Sequence, residues 1–310
     1  MVNRGLRDST ITSHHESVER VIEAMRNRMD EPLSLGAMAK IAFVSRFHFN
    51  RTFRQVTGVP PSQFLYALRL ERAKHLLVET QQKVIDICYD VGFTSPGAFT
   101  RRFTGSLGIP PQAFRELARS SVAPISKYPP GATTNEGNSV CSSIAGYVNA
   151  PAGFHGLIFV GLFATPIPQG KPLACAVRTE SGPFHFCGAL QGEFYIFALG
   201  LEHPIHAPDC FHYESALRAG GHALRISGDS VEGTTYLRLR PPRAFDPPIL
   251  LALPLLLGQS AAGGNDNSTR TSVSRAISDT PLMRRQRSKG EILQMTGEGN
   301  ERNASPQTLA

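Results

Sequence analysis

Ser45 to Phe64, SRFHFNRTFRQVTGVPPSQF, reads as a helix that closes on a glycine and runs into a Pro-Pro turn. It returns fifty residues later as Ser95 to Phe114, SPGAFTRRFTGSLGIPPQAF. Ser45/Ser95, Phe49/Phe99, Arg51/Arg101, Phe53/Phe103, Gly58/Gly108, Pro60/Pro110, Pro61/Pro111 and Phe64/Phe114 are identical at that offset. A repeat of this kind implies one supersecondary unit used twice.

Upstream, Ser13-His14-His15-Glu16 has the form of a capping box, which places a helix start at Ser13. Val18, Val21, Ile22, Met25 and Met29 follow at helical spacing, and Pro32 ends the region. Ser34 then caps a short helix from Leu35 to about Ile41. The turn Ala42-Phe43-Val44 leads to Ser45 as the next cap. Two short helices on a tight turn make a helix-turn-helix, whose second helix normally lies in a DNA major groove.

At about 100° per residue, Phe49, Phe53 and Val56 share one face of that second helix and form its core side. Phe47, Asn50, Arg51 and Arg54 fall opposite. Arg offers the bidentate fork that matches guanine, and Asn pairs with adenine in the same way. A solvated polar face is the bland alternative, and it explains an exposed Phe among Arg and Asn poorly.

Pro60-Pro61 opens a longer helix, Ser62 to about Val78, a rigid spacer of roughly 26 Å. The second unit follows: a helix from about Lys83 to Asp90, the turn Val91-Gly92-Phe93-Thr94, and a helix from Ser95 with Pro96 at its first position. Phe99, Phe103 and Leu107 are its core face. Gly97, Thr100, Arg101 and Thr104 take the outward positions. This face keeps its Arg but is otherwise small, so it is expected to position the protein on phosphates more than to read bases. A last helix runs from about Gln112 to Arg119.

The charge agrees with a polyanion partner. Up to Ser120 there are 17 Lys/Arg against 11 Asp/Glu, whereas the whole chain of 310 residues carries only +7. The basic excess therefore sits with the repeat. Five Cys with no CxxC spacing read as small buried hydrophobes in a reducing compartment. The N-terminus lacks a signal-peptide core, and the most apolar run, Ile249 to Leu257, is far too short to span a membrane. A cytoplasmic protein with no membrane partner is expected.

Residues 13–118 resemble the DNA-binding domain of the AraC/XylS family of transcription regulators. The likeness rests on Val44 to Arg51, on Leu68 to Ala73 with Leu76-Leu77, and on Val91 to Arg115, with both halves in register. It implies seven helices, two helix-turn-helix units and recognition helices (45–57 and 95–107) entering successive major grooves. The positions matching the family's base contacts are Phe47, Asn50, Arg51, Gly97, Ala98 and Arg101, with Arg46, Arg54 and Thr100 beside them. The Pro-Gly-Ala opening of the second helix departs from the longer polar side chains many members carry, which weakens second-site specificity.

Residues 119–143 read as a linker. From Ile144 the pattern becomes strand-like, with candidates at 144–149, 156–163, 173–179, 183–189, 193–199, 222–227 and 234–240. Phe184/Phe186 alternate with His185/Cys187, and Leu237/Leu239 with Tyr236/Arg238/Arg240. An antiparallel β-sandwich over 144–257 is expected, similar to prealbumin-like, carboxypeptidase-regulatory-type domains. Residues 258–310 read as a disordered, partly basic tail. Within 203–212, His203, His206, Asp209, Cys210 and His212 are competent zinc ligands, but their spacing matches no ligand pattern, and a polar surface loop is the favoured reading. No catalytic motif, cofactor motif or metal set is assigned.

The expectation is therefore a multidomain, non-enzymatic regulator that binds a double-stranded promoter site as a monomer or homodimer. Its β domain senses a small-molecule effector. The alternative is that the β domain is a protein-interaction module, touching RNA polymerase or a partner regulator, or a metal-responsive one.

Overall fold

The structure, a computed structural model, describes residues 3–120, 133–134 and, with breaks at 188–189, 204, 206 and 229, residues 143–256. The expected tail and most of the expected linker lie outside the described residues. Seven helices come first: α1 (Asn3–Asn27), α2 (Leu35–Ile41), α3 (Arg46–Thr57), α4 (Pro61–Glu79), α5 (Val84–Asp90), α6 (Pro96–Leu107) and α7 (Pro111–Arg119). The start of α1 corrects the sequence reading. Ser13 lies inside the helix, its carbonyl accepting from Ser17 Oγ at 2.8 Å, so the Ser13–Glu16 pattern is not a cap.

The repeat is physical as well as textual. Ser45 and Ser95 cap α3 and α6, their hydroxyls accepting from the amides of His48 and Ala98. Both helices end on a left-handed glycine, Gly58 (φ 75°) and Gly108 (φ 86°), where a residue without Cβ suffers no clash. A proline then opens each following helix. Phe49 packs tilted on Phe53 at 5.5 Å and Phe53 meets Phe64 edge-on at 5.4 Å, and Phe99, Phe103 and Phe114 repeat the ladder at 5.7 and 5.5 Å. Each of these rings is fully buried, which stabilises the fold by about 1.5–3 kcal/mol apiece.

The turns differ. In the first, Phe43 takes the left-handed position (φ 57°) and is exposed. In the second that position is Gly92 (φ 81°), pressed against the Met29 carbonyl and the Arg69 guanidinium. Arg69 in turn donates to the Met29 and Glu31 carbonyls at 2.8 Å, tying the end of α1 to α4.

Nine strands follow among the described residues: β1 (Thr133–Thr134), β2 (Ser143–Asn149), β3 (Gly156–Phe163), β4 (Ala174–Arg178), β5 (Gly182–Cys187), β6 (Gly192–Glu202), β7 (Leu217–Ser227), β8 (Ser230–Glu232) and β9 (Tyr236–Arg238). They form a six-stranded antiparallel sheet, β1-β4-β3-β6-β7-β8, and a three-stranded sheet, β5-β2-β9. One pairing departs from the expected all-antiparallel pattern: β2 and β9 run parallel, Val148 opposite Leu237. The expected closing element at 249–257 begins as a bridge from Leu250 to Gln169 and ends in a helical turn at 253–256.

All described residues belong to one compact unit, and β3 shows why. Its eight residues are buried throughout. Side chains alternate across a strand. Ile158, Val160 and Leu162 pack with Phe184, Phe186 and Leu237 between the two sheets. Leu157, Phe159 and Phe163 join the core of the helical region instead. The outer face of the six-stranded sheet is thus buried in the same core as the helices, together with Phe211, Tyr213 and Ile249–Leu253. A continuous apolar run without alternation is what burial on both faces requires.

Candidate nucleic-acid interface

On α3 the core face takes Phe49, Thr52 and Phe53, which leaves Arg46, Phe47, Asn50, Arg51 and Arg54 exposed. Phe47 is 89% exposed. The stem of Arg46 lies over Gly36 of α2, whose lack of a side chain lets the two helices approach. Arg46 and Arg51 form no ion pair among the described residues, so both guanidiniums are held at the surface without a protein anion. Arg54 differs. It lies close to Tyr195 of β6, whose phenol burial and a 2.6 Å hydrogen bond to Glu193 hold above its usual value, with Arg54 acting the other way.

On α6 the outward positions are less open. Gly97 and Arg101 are exposed, while Ala98, Thr100 and Thr104 are half-buried. Arg101 has no ion-pair partner among the described residues. The end of this helix is occupied: the Gly170 amide donates to the Ser106 carbonyl at 2.6 Å. Sequence reading passed over Arg102, which is exposed and lies 4.1 Å over the Tyr66 ring of α4. Its signal was only the absence of an Arg at the equivalent position 52, where a buried Thr stands.

Behind α3 and α6, α4 carries a polar cluster that faces the strand-rich half. Lys74 is 1% exposed; its Nζ donates to the Ile249 carbonyl at 2.9 Å and sits 4.5 Å over the Tyr213 ring. Burial pushes the ammonium down to about 7, against the pull of Glu71 one turn earlier. The His75 ring lies 4.3 Å from His212, and burial together with His212 pushes His75 down to about 3. Phe211 meets Phe114 edge-on at 5.3 Å, extending the second aromatic ladder out of the helical region.

These contacts correct the reading of 203–212 as a polar surface loop. Cys210 and Phe211 are in the core and His212 packs on α4, while His206 lies outside the described residues. Among the described residues no group of three His, Cys, Asp or Glu could hold a metal ion.

Residues 38–117 match the model of a family described as a helix-turn-helix domain. The HTH-type transcriptional regulator ArgR of Pseudomonas aeruginosa is 31% identical over 111 residues, 36% of this chain and 34% of that protein. The bifunctional transcriptional activator/DNA repair enzyme AdaA of Bacillus subtilis is 28% identical over 104 residues, 34% of this chain and 49% of that protein. The chain spans about a third of the length of the first curated relatives it matches. Among solved structures, the DNA-binding domain of AdpA in complex with a target DNA is 31% identical, covering 33% of this chain and 93% of that one, with a TM-score of 0.33. The family model ends at residue 117, so it lends nothing to a prealbumin-like reading of the strand-rich half. Among the described residues no helix is long and apolar enough to cross a membrane.

Proposed function

The N-terminal helical region carries an AraC-type helix-turn-helix domain, and on that premise we propose that the chain is a sequence-specific DNA-binding transcription regulator. The observation that carries the reading is the pair of Ser-capped, Gly-closed helices α3 and α6, each presenting an exposed Arg (Arg51, Arg101) with no ion-pair partner among the described residues. Two such helices in one chain can read adjacent major grooves about 34 Å apart.

In this reading α3 does most of the choosing. Phe47, Asn50 and Arg51 supply an apolar contact and two bidentate forks, with Arg46 and Arg54 on the flanking backbone. On α6, Gly97, Ala98 and Thr100 leave room for close approach, and Arg101 anchors a phosphate. The strand-rich half, buried against the back of the helices, is the sensor. The protein works in the cytoplasm, and its reading of DNA involves no catalytic step.

The test is selection of binding sites from random duplex DNA with the full chain, followed by footprinting. Two protected segments on one face of the duplex, one helical turn apart, are the expected result. Protection of random DNA as strong as that of any selected site would overturn the reading.

A further inference from the structure

A cleft of about 1180 Å³ opens where the end of α3 meets the strand-rich half. Gln55 to Gly58, the last turn of the first reading helix and its left-handed glycine, line it from one element. The bulged stretch Ala219–His222 of β7 lines it from another. There the pairing with β6 slips by one residue, and Gly220 and Gly221 both take positive φ (101° and 87°). Bulges of this kind bend a strand and break its pairing next to sites. The third contribution is β9 and the segment after it, with Tyr236, Leu239 and Phe245 as apolar surface.

The charge of this cleft is one-sided. Arg238, Arg240 and Arg243 line it against a single carboxylate, Asp246. That carboxylate is already committed: Arg240 donates to both its oxygens at 2.7 and 2.8 Å, and the Arg243 amide donates to it at 2.8 Å. The guanidiniums of Arg238 and Arg243 have no carboxylate among the described residues; Arg243 lies 5.9 Å from the Phe245 ring. Two uncompensated cations beside low-dielectric walls focus a positive potential into the space between them. Pockets for small molecules run to about 300–1,000 Å³, so the cleft has room for a metabolite and its water.

We propose that this cleft binds a small organic anion, a carboxylate or phosphate ester with an apolar or aromatic part, held by Arg238 and Arg243 beside the last turn of α3. Binding itself stands on the cleft alone. That occupancy is felt at the reading helix rests on the regulator reading above. The coupling is local: a ligand touching Gln55 and Val56 acts one turn from Arg51 and Arg54, and it can shift DNA affinity by its different fit to two positions of that turn.

The experiment titrates the full chain with inorganic phosphate, citrate and benzoate at ionic strength matched with sodium chloride, reading calorimetric binding and thermal shift. Saturable binding of at least one probe is expected, weakened tenfold or more in Arg238→Ala and in Arg243→Ala. Both residues are exposed, so both variants should melt like the parent without probe. Asn50→Ala should bind the probe as the parent does.

Three results would overturn the proposal. The probes could do no more than chloride. Binding could survive both substitutions. Or the two variants could, with no probe present, lose affinity for the selected DNA and show a flatter salt dependence, which would make these arginines contacts for duplex phosphates. Failure of the regulator reading looks different: no duplex is preferred in anisotropy titrations, while calorimetry of the probe is unchanged.

Discussion

Lys74 and Ile249 are 175 residues apart in sequence, and the buried ammonium of one donates at 2.9 Å to the backbone carbonyl of the other. The bond joins the helix between the two helix-turn-helix units to the last described segment of the strand-rich half. It has no solvent to fall back on, so its removal leaves a buried acceptor unmet and Glu71 without its nearby cation.

Lys74→Ala is therefore expected to cost about 3 kcal/mol, the usual scale for breaking a buried charged contact by removing one partner. Lys74→Met keeps the length of the side chain and should lose less. Urea titrations check both: the midpoint should fall with the slope unchanged, because one cooperative unit is being weakened. Equal midpoints for Lys74→Ala and the parent would show that the bond contributes nothing.

Acid should loosen the same junction through His75. Its folded-state value of about 3 lies below the ordinary 6.5, so between these pH values the unfolded chain holds the extra proton. Stability is then fully present above about pH 6.5 and is lost as pH falls, by up to about 1.4 kcal/mol per unit. His75→Gln removes that proton uptake. The difference in stability between parent and His75→Gln, followed from pH 7 to pH 5, should shrink steadily, and a pH-independent difference would refute the account.

On the proposed reading of DNA, Arg51 and Arg101 should fail differently. Arg51→Ala is expected to cost about 1–3 kcal/mol on the selected site and to relax the choice of one or two bases. Arg101→Ala should weaken binding evenly across sequences and reduce the slope against log salt by about one. Anisotropy titrations on selected and scrambled duplexes at several salt concentrations separate the two outcomes.

Two glycines in left-handed conformations offer a graded test of backbone strain. An added Cβ at Gly58 meets nothing, so Gly58→Ala should cost only the conformational penalty of about 1–2 kcal/mol. At Gly92 the same atom runs into the Met29 carbonyl and the Arg69 guanidinium. Gly92→Ala should cost distinctly more and shift the thermal midpoint further.

The helical repeat was legible because its signals are local. A Ser cap, a left-handed Gly and a Pro at the next helix start all fall within 20 residues, and each acts on its own stretch of backbone. The same local logic misled at Ser13, where a capping-box pattern sits inside a longer helix. Most described strands were legible from apolar runs set between Gly/Pro signals, with clean alternation in two of them, at Phe184/Phe186 and Leu237/Leu239.

What joins the halves was not legible. The unbroken apolar run of β3 demanded cover on both faces, yet nothing nearby in sequence says that one face joins a core shared with the helices. Phe211 and Cys210 sit among His, Pro and Asp, and their burial depends on Phe114 and α4, far back along the chain. The parallel pairing of β2 with β9 is likewise a long-range fact. The outward positions of α3 and α6 could be assigned from helical phase alone, but the half-burial of Thr100 could not.

The division of β3 between two cores bears on how such a chain could be recombined. Its even-numbered side chains belong to the sandwich, and Leu157, Phe159 and Phe163 belong to the core shared with the helices. A graft of this strand-rich half onto another helix-turn-helix domain, cut anywhere in residues 119–143, would carry those three side chains to a stranger. The seam for exchanging parts runs lengthwise down a strand, and a working chimera would need that one stripe rewritten to suit its new host.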